Sequence, residues 1–307
     1  MFDRLVIVGP GLIGGSLGLA VREKGLARRI VGVGRRKESL ALAVEIGAVD
    51  ETSLDLEVAA AEADLVVLAT GVEMIARQAA AVLPRMQKGA PLTDVGSAKA
   101  GICRAVETAF SASTAAARNI RFVGGHPMAG SERRGIGSAR ADLFRDALCI
   151  LTPTPATDPD GAGLEIVRDL WEAVGCRVRV MTPEAHDRLI AQISHLPHAA
   201  AACLVNAASD EALDLAASGF VDTTRVASGE PAMWVEICLA NREALLAALA
   251  AFGEQLNAFA EALKAGDAKT LGTILQLAKS RRDGQIHHQD TKGTKGTKNN
   301  DVFSNHG

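Results

Sequence analysis

Aromatic residues are scarce in this chain: they make up 3% of its 307 residues, and tyrosine is absent. Since hydrophobic residues still reach 48%, the core must be built from Ala, Leu, Val and Ile. The formal net charge of -3 provides no basic field that would draw the protein to nucleic acid or to an anionic membrane. We therefore expect a small-molecule partner, with no nucleic acid and no membrane.

Paired cysteines and long apolar runs are also missing. The five cysteines are odd in number, widely spaced and free of any C-x-x-C pair, which argues against a disulfide framework or a zinc site. No apolar run reaches the ~18 residues of a membrane span. The first residues lead into an apolar strand without the features of an export signal. We expect a cytoplasmic protein with reduced cysteines and no metal.

The apolar pattern divides the chain into two parts. A length of 307 residues exceeds the roughly 100–200 residues of a usual domain, which favours two domains. In the first part, short and nearly continuous apolar runs alternate with helical stretches, a pattern typical of strands covered by helices on both faces. The predicted strands are 5–8, 30–33, 65–68, 91–95, 121–123, 148–151 and 177–181. They predict an α/β fold with a doubly wound, mainly parallel sheet of the Rossmann type.

After Thr182 the strand pattern stops, and Ala- and Leu-rich segments with helical spacing follow at 198–215, 231–263 and 267–279. This change predicts an all-α second domain whose first helix starts near Pro183. Beyond Arg282 no apolar periodicity remains to offset the entropy of ordering the chain, so we expect a disordered tail in which His287 and His288 have no specific role. The predicted domains are 1–181, 182–282 and the tail 283–307.

A glycine-rich turn directly follows the first predicted strand. It reads Gly9-Pro10-Gly11-Leu12-Ile13-Gly14 and opens a predicted helix, which is the context that a G-x-G-x-x-G pattern requires. Gly9 permits the tight turn, Gly11 lets the backbone approach a pyrophosphate, and Gly14 lets the helix pack on the strand. Free N–H groups where the helix starts, at Leu12 and Ile13, complete a dinucleotide site.

The end of the second predicted strand indicates which dinucleotide is bound. An NAD site usually has an acidic residue there that binds the ribose 2′-hydroxyl, but this chain reads Val33-Gly34-Arg35-Arg36-Lys37. Gly34 leaves room for a 2′-phosphate, and Arg35 and Arg36 supply planar donors for it. We predict NADP in preference to NAD; the alternative is a pair of solvated arginines.

Three further motifs carry candidate chemistry. The first two each follow a predicted strand, at the edge where doubly wound sheets bind ligands, and the third lies in the helical part. The first is Asp94-Val95-Gly96-Ser97-Ala98-Lys99, and the second is Gly124-Gly125-His126-Pro127-Met128-Ala129-Gly130-Ser131-Glu132. The third group consists of Ser194-His195-Leu196-Pro197-His198, Asp222-Thr223-Thr224-Arg225, Met233-Trp234 and Asn241.

Together with the glycine-rich turn, these motifs resemble the prephenate and arogenate dehydrogenase family over residues 4 to 282. The resemblance implies a Rossmann domain, a helical dimerisation domain that forms a homodimer, and NAD(P)-dependent oxidative decarboxylation to 4-hydroxyphenylpyruvate or tyrosine. It implies that His126 and Ser97 contact the ring hydroxyl as catalytic residues and that Arg225 anchors a substrate carboxylate. The residues it places in or beside the substrate pocket are His198, His195 and Ser194.

These residue types suit that chemistry. A base must take the hydroxyl proton while hydride leaves the ring, and histidine, with an ordinary pKa of ~6.5, titrates near neutrality. The planar fork of arginine binds a carboxylate better than the point charge of lysine. Because loss of CO2 yields an aromatic ring, no metal ion is needed as an electron sink.

Other interpretations stay open at this point. The chain also fits another two-domain NADP-dependent dehydrogenase of the β-hydroxyacid dehydrogenase type, or a non-catalytic NADP-sensing module. A pocket carboxylate from Glu132, Asp222 or Glu236 would favour arogenate over prephenate. Each candidate residue also has a purely structural alternative. His126 could be structural, Ser97 could be a helix N-cap, and Arg225 could form a salt bridge with Glu230 or Glu236. His195 or His198 could pack in a helix core or cap a helix, Lys99 could be solvated, and His186-Asp187 could be a surface pair.

Overall fold

The computed structural model describes residues 1–129 and 134–293, with side chains to residue 284. The chain divides into two compact units, Met1–Ala248 and Leu249–Gly307. The predicted boundary at 181/182 lies inside the first unit and stays a prediction. The predicted tail also stays a prediction: the last helix runs to Gly293, whereas residues 294–307 and the side chains of His287 and His288 lie outside the described residues.

The first unit contains one sheet, whose strands follow the order β3-β2-β1-β4-β5-β6-β7-β8. The strands are β1 (Phe2–Val8), β2 (Ala27–Val33), β3 (Glu51–Ser53), β4 (Leu65–Leu68), β5 (Pro91–Asp94), β6 (Arg121–Pro127), β7 (Leu148–Pro153) and β8 (Arg177–Val180). Neighbouring strands are parallel except β6 and β7, which are antiparallel. The predicted doubly wound, mainly parallel sheet is confirmed. The short edge strand β3 was not predicted because its three residues are polar.

Helices cover both faces of this sheet. They are α1 (Leu12–Glu23), α2 (Lys37–Glu45), α3 (Leu56–Ala61), α4 (Val72–Val82), α5 (Ala100–Ser111) and α6 (Ala162–Ala173). Strand β1 shows why its apolar run is continuous: Val6 and Val8 belong to the core under α3, α4 and α5, while Leu5 and Ile7 belong to the core under α1 and α6. Side chains alternate across a strand, so burial of both faces requires apolar residues at every position.

Between β8 and Gly293, where the description of the structure ends, the regular elements are all helical, as predicted. They are α7 (Pro183–Ile190), a π-helical turn (Ala191–His195), α8 (Leu196–Ala207), α9 (Asp210–Asp214), α10 (Ser218–Thr224), a 3₁₀ turn (Arg225–Ser228), α11 (Pro231–Ala240), α12 (Arg242–Lys264) and α13 (Ala268–Gly293). Thr182 caps α7 by accepting a hydrogen bond from the Ala185 N–H at 3.2 Å. The expected helix 231–263 is interrupted at Asn241, whose side chain is buried. None of the helices among the described residues combines the length and apolar character needed to span a bilayer.

Candidate active site at the carboxyl edge of the sheet

A cavity of about 790 Å³ opens at the carboxyl ends of β1, β2 and β4. The glycine-rich turn forms its floor. Gly9 has a φ of 84°, which favours glycine, and a Cβ on this residue would lie 2.7 Å from the Ala69 carbonyl oxygen. A Cβ on Gly14 would lie 2.6 Å from the Gly9 carbonyl oxygen, so only glycine allows α1 to start this close to β1. The size and position of the cavity suit a dinucleotide.

Five of the predicted cofactor residues line this cavity: Gly9, Gly11, Gly34, Arg35 and Arg36. Leu12 and Ile13 are half-buried at the start of α1 and, like Gly14, are not among the lining residues. No side chain caps this end of α1, which begins directly after Gly11. Its N–H groups therefore stay available to an anion.

His126 lies at the end of β6 and starts a chain of hydrogen bonds that the sequence did not reveal. Its Nδ1 is 2.8 Å from His186 Nε2, and His186 Nδ1 is 2.8 Å from Asp187 Oδ1. A carboxylate can only accept, so His186 must donate from Nδ1. When neutral, His186 then accepts at Nε2 from the His126 Nδ1–H. The network thus assigns His126 the tautomer whose lone pair is on Nε2.

Asp187 connects this chain to the start of α5. Its carboxylate accepts from the backbone N–H of Lys99 at 2.7 Å and of Ala100 at 2.9 Å. The first N–H groups of α5 are thus satisfied by a residue of α7. The alternative role of Ser97 as the cap of this helix is wrong, because no side chain at the N-cap position makes that bond. Ser97 is half-buried in the loop before α5.

Lys99 and Asp94 form a fully buried ion pair, so the interpretation of Lys99 as a solvated residue is wrong. Lys99 Nζ also donates to the Gly125 carbonyl oxygen at 2.8 Å. The Asp94 carboxylate accepts from the N–H of Gly96 at 2.8 Å and of Gly125 at 3.1 Å. One buried pair therefore fixes the loop that carries Ser97 and the strand end that carries His126.

Two more histidines are buried in the helical part. His195 ends the π-helical turn, and its Nδ1 is 3.1 Å from Asn241 Nδ2, which also donates to the Asp187 carbonyl oxygen at 2.8 Å. Because the Asn241 amide donates, neutral His195 is protonated at Nε2, and this buried atom has no partner among the described residues. His198 stacks on Trp234 with a 3.5 Å centroid separation. π-helical turns often occur at functional sites.

The remaining predicted residues lie in the π-helical turn and in the 3₁₀ turn, which packs against α8. Ser194 is half-buried in the π-helical turn. Arg225 is exposed at the start of the 3₁₀ turn. Glu230, one of the partners considered for Arg225, pairs with Arg134. Glu132 lies outside the described residues.

Burial keeps all four histidines neutral near pH 7. Burial, followed by the charges of His186 and Lys99, holds the pKa of His126 well below 6.5. Burial likewise lowers the pKa of His186 and His198, and it lowers that of His195 to about 4. Burial alone would raise the pKa of Asp187, but hydrogen bonds from His186 and two backbone N–H groups outweigh it and lower this pKa.

The sequence-based assignment gave no site role to His186, Asp187 or Asn241, although Asn241 was among the motif residues. The interpretation of His186-Asp187 as a surface pair is wrong, since both side chains are buried. An adjacent histidine and carboxylate early in an amphipathic helix was the available signal. Among the described residues, no group of three or more His, Cys, Asp or Glu side chains is arranged to hold a metal ion.

Comparisons with known proteins agree with this architecture. The nucleotide-binding domain of prephenate dehydrogenase matches residues 17–180, and its dimerization domain matches residues 182–277. Prephenate dehydrogenase of Bacillus subtilis is 33% identical over 295 residues, which cover 92% of this chain and 76% of the relative. The crystal structure of prephenate dehydrogenase from A. aeolicus with hydroxyphenyl propionate and NAD+ has a TM-score of 0.83 at 32% identity, covering 92% of this chain and 98% of that one. Synechocystis arogenate dehydrogenase has a TM-score of 0.78 at 32% identity, with 92% and 99% coverage. The chain belongs to the prephenate dehydrogenase family.

Proposed function

We propose that this protein catalyses the NAD(P)-dependent oxidative decarboxylation of prephenate or arogenate. The observation that carries the proposal is the hydrogen-bonded chain from Asp187 through His186 to His126. It presents a neutral imidazole with a free lone pair at the same sheet edge as the dinucleotide cavity. A hydroxyl oxidation requires a base of this kind beside the cofactor.

In the proposed reaction, His126 removes one proton from the substrate and later returns it. When bound in the cavity, the nicotinamide supplies the acceptor for the hydride that leaves C4 of the substrate ring. His126 Nε2 takes the C4 hydroxyl proton, which leaves a ring ketone. The C1 carboxylate then leaves as CO2, and its bonding electron pair passes through the ring to the oxygen. His126 returns the proton to this oxygen, so the phenol forms without net proton release.

The environment of His126 suits both halves of this cycle. Its lowered pKa keeps the base unprotonated at neutral pH, and it makes the imidazolium that forms a better proton donor than an ordinary one. While the ring is charged, His186 and the Asp187 carboxylate stabilise it through the two 2.8 Å bonds. We assign His126 as the general base and then the general acid, and His186 as its positioning residue.

Substrate recognition is assigned to Ser97 and to the helical segments. The Ser97 hydroxyl, in the loop fixed by the Asp94 and Lys99 pair, would bind the ring hydroxyl beside His126. Arg225 would bind a substrate carboxylate through its planar fork. The other pocket residues are His198, held by Trp234, His195, whose Nε2–H is an unused donor, and Ser194.

NADP is the proposed cofactor in preference to NAD. Arg35, Arg36 and Gly34 line the end of the cavity next to β2, where the adenosine ribose of a dinucleotide lies. Two guanidinium groups favour a 2′-phosphate. A Cβ on Gly34 would lie 3.2 Å from Leu40 Cδ2, so an acidic side chain at this position would be crowded.

We also propose a homodimer formed through the helical part. Several large apolar side chains of α12 and α13 are exposed in this chain: Phe252, Leu256, Phe259, Leu263, Leu275 and Leu277. Exposed apolar surface of this kind marks association sites, and the matching family domain is described as a dimerization domain.

Absorbance at the NADPH wavelength tests the function, with prephenate and arogenate each paired with NADP+ and NAD+. The expected result is turnover of at least one of the two substrates, one CO2 per reduced nucleotide, and a lower KM for NADP+ than for NAD+. Absence of turnover with all four pairs would contradict the proposal. A clear preference for NAD+ would contradict only the roles of Gly34, Arg35 and Arg36.

A further inference from the structure

Glu236 of α11 reaches into the dinucleotide cavity from the helical part of the first unit. It is the only acidic residue among the described lining residues. A Cβ on Gly71, which precedes α4, would lie 2.7 Å from Glu236 Oε2, so the carboxylate lies against the backbone after β4. The side chain is half-buried, and the described residues provide it with no hydrogen bond or ion pair.

A carboxylate in this position needs donors from the ligand. It can only accept hydrogen bonds, and leaving it in a filled cavity without a donor would cost free energy. Within a dinucleotide the phosphates would repel it, whereas a ribose diol offers two O–H donors. Many dinucleotide sites bind a ribose diol through an acidic residue after the second strand, which this chain lacks at Gly34-Arg35-Arg36.

The arrangement along the sheet selects one of the two riboses. Arg35 and Arg36 lie beside β2, while Gly71 follows β4 on the other side of β1. If the arginines hold the 2′-phosphate of the adenosine ribose, the intact diol belongs to the nicotinamide ribose. We infer that Glu236 is a cofactor-binding residue that accepts hydrogen bonds from the nicotinamide-ribose diol. This inference rests on the proposed dehydrogenase function and its cofactor.

Fluorescence titration with NADPH tests this inference without turnover. Glu236→Gln is compared with the wild-type chain and with Glu243→Gln, which neutralises an exposed glutamate at the start of α12. Loss of a hydrogen bond to a charged acceptor should raise the Kd of Glu236→Gln for NADPH about 10- to 100-fold. The Kd of Glu243→Gln should stay within about 2-fold of the wild type, since surface changes of this kind have small effects.

The ligand 2′,5′-ADP, which lacks the nicotinamide ribose, supplies the second comparison. Glu236→Gln should bind it as the wild type does. The inference is overturned if Glu236→Gln has an unchanged Kd for NADPH, or if it binds NADPH more tightly, which would indicate that Glu236 repels the phosphates. It is also overturned if the variant binds NADPH and 2′,5′-ADP with equally weakened affinity. If the wild-type chain binds no NADPH or NADH, the proposed function fails instead, so the two failures are distinguishable.

Discussion

Replacing His186 with phenylalanine removes the acceptor that fixes the ring of His126. His186 is fully buried, and its Nε2 is 2.8 Å from His126 Nδ1. Phenylalanine keeps a planar ring of similar size but leaves the His126 Nδ1–H without a partner. The tautomer with a free Nε2 then loses its stabilisation relative to the tautomer protonated there.

The size of this effect follows from the single lost bond. A buried donor without an acceptor costs about 1–3 kcal/mol, which corresponds to a loss of about 5- to 150-fold in the population of the competent tautomer. We expect kcat to fall by this factor, while the KM for substrate and the Kd for NADPH change little. His186 acts on the state of the base and touches neither ligand in the proposed mechanism.

His186→Gln is the matched variant. The oxygen and nitrogen of an amide are spaced much like the two ring nitrogens of histidine, so glutamine can accept from His126 and donate to Asp187. It should retain kcat within a few-fold of the wild type. Steady-state kinetics give the comparison, and ¹⁵N shifts of the His126 ring report its tautomer. If His186→Phe keeps full kcat, or if both variants lose kcat equally with an unaltered His126 tautomer, His186 does not position the base.

Three further predictions concern binding and stability. Arg225→Gln should raise the substrate KM about 10- to 100-fold through loss of a charge-assisted pair, and an unchanged KM in the same assay would indicate a structural salt bridge. Lys99→Met leaves Asp94 buried and unpaired, so it should lower the unfolding free energy, measured by urea denaturation, by about 3–5 kcal/mol. Adding Asp94→Asn to this variant should recover part of the loss. A loss of less than about 1 kcal/mol would show that the pair is solvated. His195 binds a proton at pH 6.5 when unfolded but only at about 4 when folded. The unfolded state therefore binds more protons below pH 6.5, and His195 alone should lower the unfolding free energy by about 2 kcal/mol between pH 7 and pH 5. An equal urea midpoint at pH 7 and pH 5 would refute this prediction.

The sheet was predictable where burial controls the sequence. Strand β4 and the last four residues of β1 are buried throughout, and their continuous apolar runs mark them. The edge strand β3 was not predictable, because Glu51, Thr52 and Ser53 lack such a run and pair only with β2. The interruption at Asn241 was equally hidden, since a buried amide bonded to two distant groups leaves no periodic signal.

The site also has a part that the sequence predicts and a part that it does not. Motifs that lie next to a strand indicated His126 and Ser97, because the position of a residue after a parallel strand already determines the edge at which it lies. The partners of His126 come from α7, 60 residues further along the chain. The burial of Lys99 depends on Asp94 and Gly125, which belong to two strands. Such contacts depend on how helices pack against the sheet, and local pattern does not specify this.

The role of His126 is tested most directly by His126→Asn in the dehydrogenase assay. Loss of the general base should lower kcat about 10²–10⁴-fold, while the NADPH Kd from fluorescence titration stays at the wild-type value. A His126→Asn protein that oxidises and decarboxylates its substrate at a near-normal rate would contradict the account.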